Sequence, residues 1–318
     1  MLGAFLDRDS LDRGDLDFSS LDSVIDDWQF YGQTRPDDLG PRIASSEIII
    51  SNKVIIDQHA MQSAPQLKLI CVAATGTNNV DIGAAQRRNI SVCNVRGYAT
   101  PSVSQHVFAM MLSLSIHLGK YRRAVMQGAW QQSQHFCLLD YPIEELSGKT
   151  LGIIGYGELG QAVAKIAEAF GMQVLVSDHR GKQPRPGRVT FEQLLAEADN
   201  ISLHCPLTAE TQGLIGAAEI TQMKPGAMLI NTARGGIVDE QALADALRDG
   251  YLGGAGFDVL SKEPPVASNP LLAADIPNLI ITPHIAWASR ASRQRLLDQI
   301  SANIEAFLAD TPRNIVSE

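Results

Sequence analysis

Thr150-Leu151-Gly152-Ile153-Ile154 runs directly into Gly155-Tyr156-Gly157-Glu158-Leu159-Gly160 and then into a helical pattern. An apolar strand, three glycines spaced GxGxxG and a helix start together form a device for holding a pyrophosphate. Gly155 permits the tight turn and Gly157 lets the backbone approach the anion. Gly160 lets the helix pack closely on the strand, while the helix N-terminus, with Tyr156, Glu158 and Leu159 around it, offers free N–H groups. Asp178 ends the next strand-like segment about 20 positions on, where a carboxylate takes both ribose hydroxyls of NAD and repels the 2′-phosphate of NADP. NAD is therefore the expected cofactor and NADP the lesser one, although Arg180, just after His179, could accommodate a phosphate.

Other chemistries lack their residues. No HxxxH, HExxH, CxxC or acidic cluster with ligand spacing occurs, so no metal site is expected, and no GxSxG elbow presents a nucleophilic serine. Cys71, Cys93, Cys137 and Cys205 lie far apart and read as reduced packing thiols. His59, His117, His135 and His179 have no partner pattern and read as structural. The formal charge of −9 with no evident basic patch argues against nucleic acid and anionic lipid as partners. The longest apolar stretch, Val107–Leu118, is interrupted by serines and His117 and falls short of the roughly 20 residues of a membrane span. At the start, MLGAFLDRDS meets Asp7 and Arg8 at once, unlike a secretory signal, so a cytoplasmic location is expected.

With 318 residues, 45% of them hydrophobic, the chain is long enough for two packed domains. Short apolar runs alternate with helical patterns, the behaviour of βαβ units and parallel sheets. Ser46–Ser51, Leu67–Ala73 and Ile90–Asn94 read as strands of a first unit. Thr100-Pro101 then opens a helix to about Leu118, apolar on nearly all sides, which a domain junction or a subunit partner must cover. A second series has strands at Thr150–Ile154, Gln173–Ser177, Asn200–His204, Ala227–Asn231, Gly253–Asp258 and Leu279–Thr282, with helices at Leu159–Phe170 and Asp239–Arg248. Six strands suit a complete doubly wound sheet. A last helix, about Ser289–Leu308, could cross back to the first unit.

Three segments follow the glycine loop: Asn231-Thr232-Ala233-Arg234-Gly235-Gly236-Ile237-Val238-Asp239, Asp258-Val259-Leu260-Ser261-Lys262-Glu263-Pro264-Pro265 and Thr282-Pro283-His284-Ile285-Ala286-Trp287. In this order and at these separations the chain resembles the D-isomer-specific 2-hydroxyacid dehydrogenases over nearly its whole length. Within that family, Ala73-Ala74-Thr75-Gly76-Thr77-Asn78-Asn79-Val80-Asp81, Asn94-Val95-Arg96-Gly97-Tyr98-Ala99-Thr100-Pro101 and His284-Ile285-Ala286-Trp287 are similar to the glycerate dehydrogenase (hydroxypyruvate reductase) branch. The resemblance implies an α/β fold of two Rossmann-like doubly wound parallel-sheet domains with the substrate site in the cleft between them. Residues 1–100, completed by 288–318, would form the substrate domain and residues 101–287 the NAD-binding domain. It also implies a homodimer.

The marked residues make chemical sense apart from the family. Reducing a 2-keto acid needs a carboxylate anchor, a proton donor at the carbonyl oxygen and a hydride from the opposite side. Arg234, permanently charged, suits the anchor; His284, titrating near neutral pH, suits the donor; Glu263 would face His284 and favour its imidazolium. By resemblance, Thr75 and Gly76 lend backbone N–H groups to the substrate carboxylate. Trp287, three residues beyond His284, is expected to cap the substrate's C3 group, the alternative being that it only packs the two domains together. By resemblance also, His204, Cys205, Pro206, Thr211, Thr232, Ala233, Asp258 and His284 line the cofactor, and Ser104 and His106 touch the cofactor or a facing subunit. The expected reaction is NADH-dependent reduction of hydroxypyruvate or glyoxylate, reversed as oxidation of D-glycerate. The alternatives are a dehydrogenase for another D-2-hydroxy acid (D-lactate-like or 3-phosphoglycerate) and a non-catalytic NAD-sensing binding protein.

Overall fold

The structure, a computed structural model, describes residues 1–316; Ser317 and Glu318, the end of the expected 288–318 segment, lie outside the described residues. The chain divides into two compact units, Met1–Ala99 with Trp287–Glu318, and Thr100–Ala286.

The first unit holds a five-stranded parallel sheet of β1 (Leu2–Phe5), β2 (Asp27–Phe30), β3 (Ile48–Ser51), β4 (Leu69–Val72) and β5 (Ser91–Cys93), in the order β2-β1-β3-β4-β5. The runs IIIS and LICV of β3 and β4 are buried throughout, as central strands covered on both faces require. At the edge, β2 alternates exposed and half-buried residues, and its short DWQF sequence carries no run that marks a strand. The helix Arg290–Leu308 belongs to this unit, with Leu296, Leu297, Ile300 and Ile304 in one core with Phe5, Ile48, Ile50 and Cys71. Asn303 Nδ2 ties it to the end of β5 by donating to the Asn94 carbonyl at 2.9 Å. Cys71 and Cys93 face each other across β4 and β5 as buried free thiols with Sγ atoms 3.3 Å apart.

In the second unit, six parallel strands, β6 (Thr150–Ile154), β7 (Gln173–Val176), β8 (Asn200–Leu203), β9 (Met228–Asn231), β10 (Gly254–Phe257) and β11 (Leu279–Ile281), lie in the order β11-β10-β9-β8-β6-β7. The order reverses between β6 and β8, and the carboxyl ends of strands at such a reversal are where doubly wound sheets bind ligands. Parallel strands need crossovers, and the amphipathic helices Glu158–Ala169 and Glu240–Arg248 supply two of them.

The helix Thr100–Ser115 corrects one expectation. Its apolar side chains Val103, Val107, Phe108, Met110, Met111 and Leu114 are buried within the second unit itself, in contact with β9, β10, β11 and the helix Glu158–Ala169. Gly256 of β10 makes room for it, since a Cβ there would lie 2.9 Å from Met110. No partner subunit is needed to cover this helix. Exposed apolar side chains occur further on instead, at Leu118, Met126, Trp130, Phe136, Leu139 and Ile143. Among the described residues no helix is long and apolar enough to cross a membrane, and no group of three or more His, Cys, Asp or Glu could hold a metal ion.

Candidate active site and cofactor site

The glycine loop leaves β6 with Gly155 at φ +95°, a conformation that L side chains rarely adopt. A Cβ there would also lie 2.5 Å from the backbone of His204 and Cys205. Gly160 is equally constrained, because a Cβ would sit 2.2 Å from the Gly155 carbonyl oxygen. Gly157 differs: a Cβ would meet nothing within 4 Å, so the space beside this helix start is open. No side chain caps the helix Glu158–Ala169 at that end, which leaves its first N–H groups to an outside acceptor. Glu158 is held by Thr100, whose hydroxyl donates to Oε1 at 2.6 Å.

Three further observations fit a dinucleotide along this edge. Ser177, His204 and Thr232 are the first residues after β7, β8 and β9. Each has a buried polar atom, Ser177 Oγ, His204 Nδ1 and Thr232 Oγ1, without a hydrogen-bond partner among the described residues. A row of unpaired polar atoms at the ligand-binding end of a sheet is what a bound molecule with many hydroxyl and amide groups would satisfy. Desolvation lowers the pKa of His204 to about 4, so the ring is neutral at physiological pH and serves as a wall with hydrogen-bonding capacity, not as a charge. Its Nε2 lies 2.9 Å from Ser202 Oγ. Thr211 turns inward on its own loop, donating to the Pro206 carbonyl at 2.6 Å and accepting from the Thr208 N–H at 2.7 Å. Ala233 is buried, its N–H held by Asn231 Oδ1 at 3.0 Å, and Cys205 is half-buried with its thiol pKa raised by burial.

The acid-base pair is set by a turn after β11. His284 has φ +55°, and its N–H donates to the Asp258 carbonyl at 2.8 Å. The Asp258 carboxylate, 1% exposed, accepts the N–H of Ile285 at 2.9 Å on Oδ1 and of Ala286 at 2.8 Å on Oδ2. The Thr282 hydroxyl also donates to Oδ1, and His106 Nε2 lies 2.9 Å from that hydroxyl. Asp258 therefore anchors the turn that aims His284, a task that its expected place beside the cofactor does not convey. His284 Nδ1 meets Glu263 Oε2 at 2.6 Å, and Glu263 Oε1 accepts the Leu260 N–H at 2.9 Å. A carboxylate can only accept, so Nδ1 carries the hydrogen and the tautomer is fixed.

Arg234 sits on a loop clamped by Asn231, whose Nδ2 donates to the Arg234 carbonyl at 2.9 Å. Its guanidinium bends back on this loop, with Nη1 donating to the Ala233 carbonyl at 2.7 Å. Gly235 seats the loop against the Leu260–Glu263 segment, since a Cβ there would lie 1.9 Å from the Leu260 carbonyl oxygen. Gly235 thus has a packing reason, and Gly236, at φ +82°, a conformational one. Thr75, Gly76 and Trp287 fall in the first unit. The Thr75 hydroxyl donates to the Val95 carbonyl at 2.9 Å, and the Asn94 amide donates to the Thr75 carbonyl at 2.7 Å. Trp287 meets Tyr98 edge to face at 6.4 Å between ring centroids, against that unit's core.

Asp178 is placed after β7 as the sequence suggests, but its neighbours were not foreseen. Arg185 donates to it from Nε at 2.8 Å, from Nη2 at 2.5 Å and from its backbone N–H at 2.9 Å, and Arg188 Nη1 lies 3.5 Å away. The Arg185 hydrogen bonds, helped by the Arg188 charge, hold this carboxyl well below the usual carboxylate range. Arg180 instead pairs with Glu219 at 2.7 Å. A basic segment, His179–Arg188, thus exists within a chain whose net charge concealed it: Arg180, Lys182, Arg185 and Arg188 occur there without a carboxylate.

Residues 108–286 match the family model described as D-isomer specific 2-hydroxyacid dehydrogenase, NAD binding domain. The chain is 47% identical over 313 residues to a glycerate dehydrogenase of Methylorubrum extorquens, covering 98% of both chains. It is 39% identical over 320 residues to a hydroxypyruvate reductase of Blautia hydrogenotrophica, again covering 98% of each. Among solved structures, a protein of Thermus thermophilus superposes with a TM-score of 0.88 at 35% identity, covering 99% of this chain and 100% of that one.

Proposed function

We propose that this chain, which belongs to the D-isomer-specific 2-hydroxyacid dehydrogenase family and is an NAD-dependent enzyme of it, interconverts hydroxypyruvate and D-glycerate and also reduces glyoxylate. The observation that carries the reading is the 2.6 Å contact between His284 and Glu263 in the same unit as the Arg234 loop and the glycine loop. Relatives named for glycerate, hydroxypyruvate and glyoxylate support the substrate class. The unit Thr100–Ala286 is assigned the NAD-binding role and the unit Met1–Ala99 with Trp287 onward the substrate role, each boundary one residue from the expected 101–287 and 1–100 with 288–318.

Bound along the carboxyl ends of β6 to β9, NADH supplies the hydride that reduces the keto carbon. Arg234 leaves the Ala233 carbonyl to grip the substrate carboxylate and keto oxygen; Thr75 and Gly76 keep their assignment as carboxylate contacts. His284 gives its proton to that oxygen from Nε2, and Glu263 balances the imidazolium beforehand. In oxidation the neutral imidazole takes the same proton back.

The reading is tested by kcat/KM with NADH for hydroxypyruvate, glyoxylate, pyruvate, phosphohydroxypyruvate and phenylpyruvate. Hydroxypyruvate ranks first, and a lead for the phosphorylated or aromatic acid overturns the proposal. Trp287 is assigned the limit on substrate size, so Trp287→Ala raises phenylpyruvate relative to hydroxypyruvate. An unchanged ratio with a lowered melting temperature leaves Trp287 only its packing on Tyr98.

A homodimer is part of the proposal, now resting on the exposed apolar side chains between Leu118 and Ile143, where Phe136 is 91% and Leu139 80% exposed. Such a patch costs solubility unless a second copy covers it. Sedimentation at micromolar concentration gives a dimer, and Phe136→Asp with Leu139→Asp shifts it to monomer; a monomeric native protein refutes this element.

A further inference from the structure

The strands of the second sheet are parallel, so their amino ends gather at the edge away from the glycine loop. The five residues of β6, at about 3.3 Å each, separate the two edges. A cavity of about 260 Å³ opens at the amino edge, wholly within the unit Thr100–Ala286. Lys149 just before β6, Asn200 and Met228 at the starts of β8 and β9, and Gly253 just before β10 line it from the sheet. Leu114, His117 and Leu146 line it from other segments. Doubly wound sheets take their dinucleotide at the carboxyl edge, so the cofactor leaves this cavity unused.

Two acceptors at this cavity lack donors. Asn200 is 1% exposed, and its Oδ1 has no hydrogen-bond partner among the described residues. The buried Nδ1 of His117 has none either. The Asn278 side chain, whose Nδ2 donates to the Gly253 carbonyl, hydrogen-bonds the His117 ring in the sense that favours its proton, so the ring donates to it. With Nδ1 unpartnered, that bond leaves from Nε2. Burial, with the Lys120 charge, lowers the ring's pKa, so the ring is neutral and Nδ1 keeps its lone pair. Buried acceptors of this kind call for N–H groups from a ligand. The charges around them agree. Lys149 pairs with Glu144 at 3.1 Å and Lys224 with Asp199 at 3.0 Å, and Glu145 adds a third carboxylate, so the lining is net negative. Leu114, Leu146 and Met228 supply apolar wall for a short alkyl chain.

We propose that this cavity is a second ligand site that binds a small primary amine, whose ammonium group donates to Asn200 Oδ1 and His117 Nδ1 and whose alkyl part packs on Leu114, Leu146 and Met228. An ammonium carries three N–H donors on one nitrogen, enough for both acceptors with one left for a carboxylate of the lining. Its charge answers the excess of carboxylates. Neither Asn200 nor His117 takes part in hydride or proton transfer, so the site is separate from the chemistry at His284. A quaternary ammonium carries the same charge without a donor, and a simple amide carries donors without the charge. The pair therefore isolates what the cavity recognises.

Calorimetric titration of the full-length protein, with and without NADH, tests this at constant ionic strength with propylammonium chloride, propionamide and tetramethylammonium chloride. Propylammonium saturates one site and keeps its affinity when NADH is present. Propionamide binds more weakly, and tetramethylammonium does not bind measurably. Asn200→Leu, close in volume, removes one acceptor. His117→Gly removes the other and suits the left-handed backbone there, at φ +48°. Each variant weakens propylammonium about tenfold or more, the scale of one hydrogen bond to a charged group. Native circular dichroism shows that the variants are folded; if Asn200→Leu fails to fold, His117→Gly, at a half-buried position, decides alone. Absence of saturable propylammonium binding overturns the proposal, as do equal binding of either other probe, displacement by NADH, or native affinity in the folded variants.

Discussion

His284→Ala lowers kcat for hydroxypyruvate reduction by about 10²–10⁴-fold, the usual worth of a positioned general acid, while NADH binding persists. The side chain is 34% exposed and pairs with Glu263. Glu263→Gln has a smaller effect, because the ring keeps its place but loses the charge-assisted hydrogen bond at Nδ1 that orients it. Steady-state rates in both directions provide the check, and native rates in Glu263→Gln would falsify the pairing.

Arg234→Ala lowers kcat/KM by about 10²–10³-fold, because it removes a guanidinium able to make two charge-assisted hydrogen bonds to the substrate carboxylate and keto oxygen at once. Arg234→Lys recovers only a small part, since an ammonium is a point charge without the fork geometry. The Asn231 clamp and the Gly235 contact do not involve the guanidinium, so the loop keeps its shape in both variants. The loss falls on the keto acid alone. A native-like kcat/KM in Arg234→Ala, or an equal loss in NADH affinity, sinks the assignment.

Much of this protein is legible along its sequence because its signals are local. The strand, GxGxxG and helix start of the cofactor loop occupy consecutive residues, and Thr150–Ile154 is a strand with the expected limits. Apolar runs such as IIIS and LICV, short and rich in β-branched residues, are strands buried at every position. The strands β1 and β2 carry weaker signals: LGAF is short and half of it is glycine and alanine, and edge strand β2 buries too little to need an apolar run. The apolar surface of the helix Thr100–Ser115 was legible, but what covers it was not, since helix periodicity names a buried face and leaves the neighbour unspecified.

The sequence by itself determined the class of fold, the dinucleotide loop, the family and the residue types that could anchor a carboxylate and move a proton. Each depends on residue identity at short range or on a fixed order of motifs. Tertiary structure alone decided which groups these residues meet. Asp258 is buried beneath the His284 turn and holds it through the Ile285 and Ala286 N–H groups, a role that 26 intervening residues hide from any reading by spacing. Gly235 is required by the Leu260 carbonyl of a separate loop. Arg185, not the adjacent Arg180, reaches Asp178, because the chain turns back after β7 and Glu219 holds Arg180 aside. Charge and hydrogen bonding act across a few ångströms of space, and folding sets those distances between residues far apart in the chain.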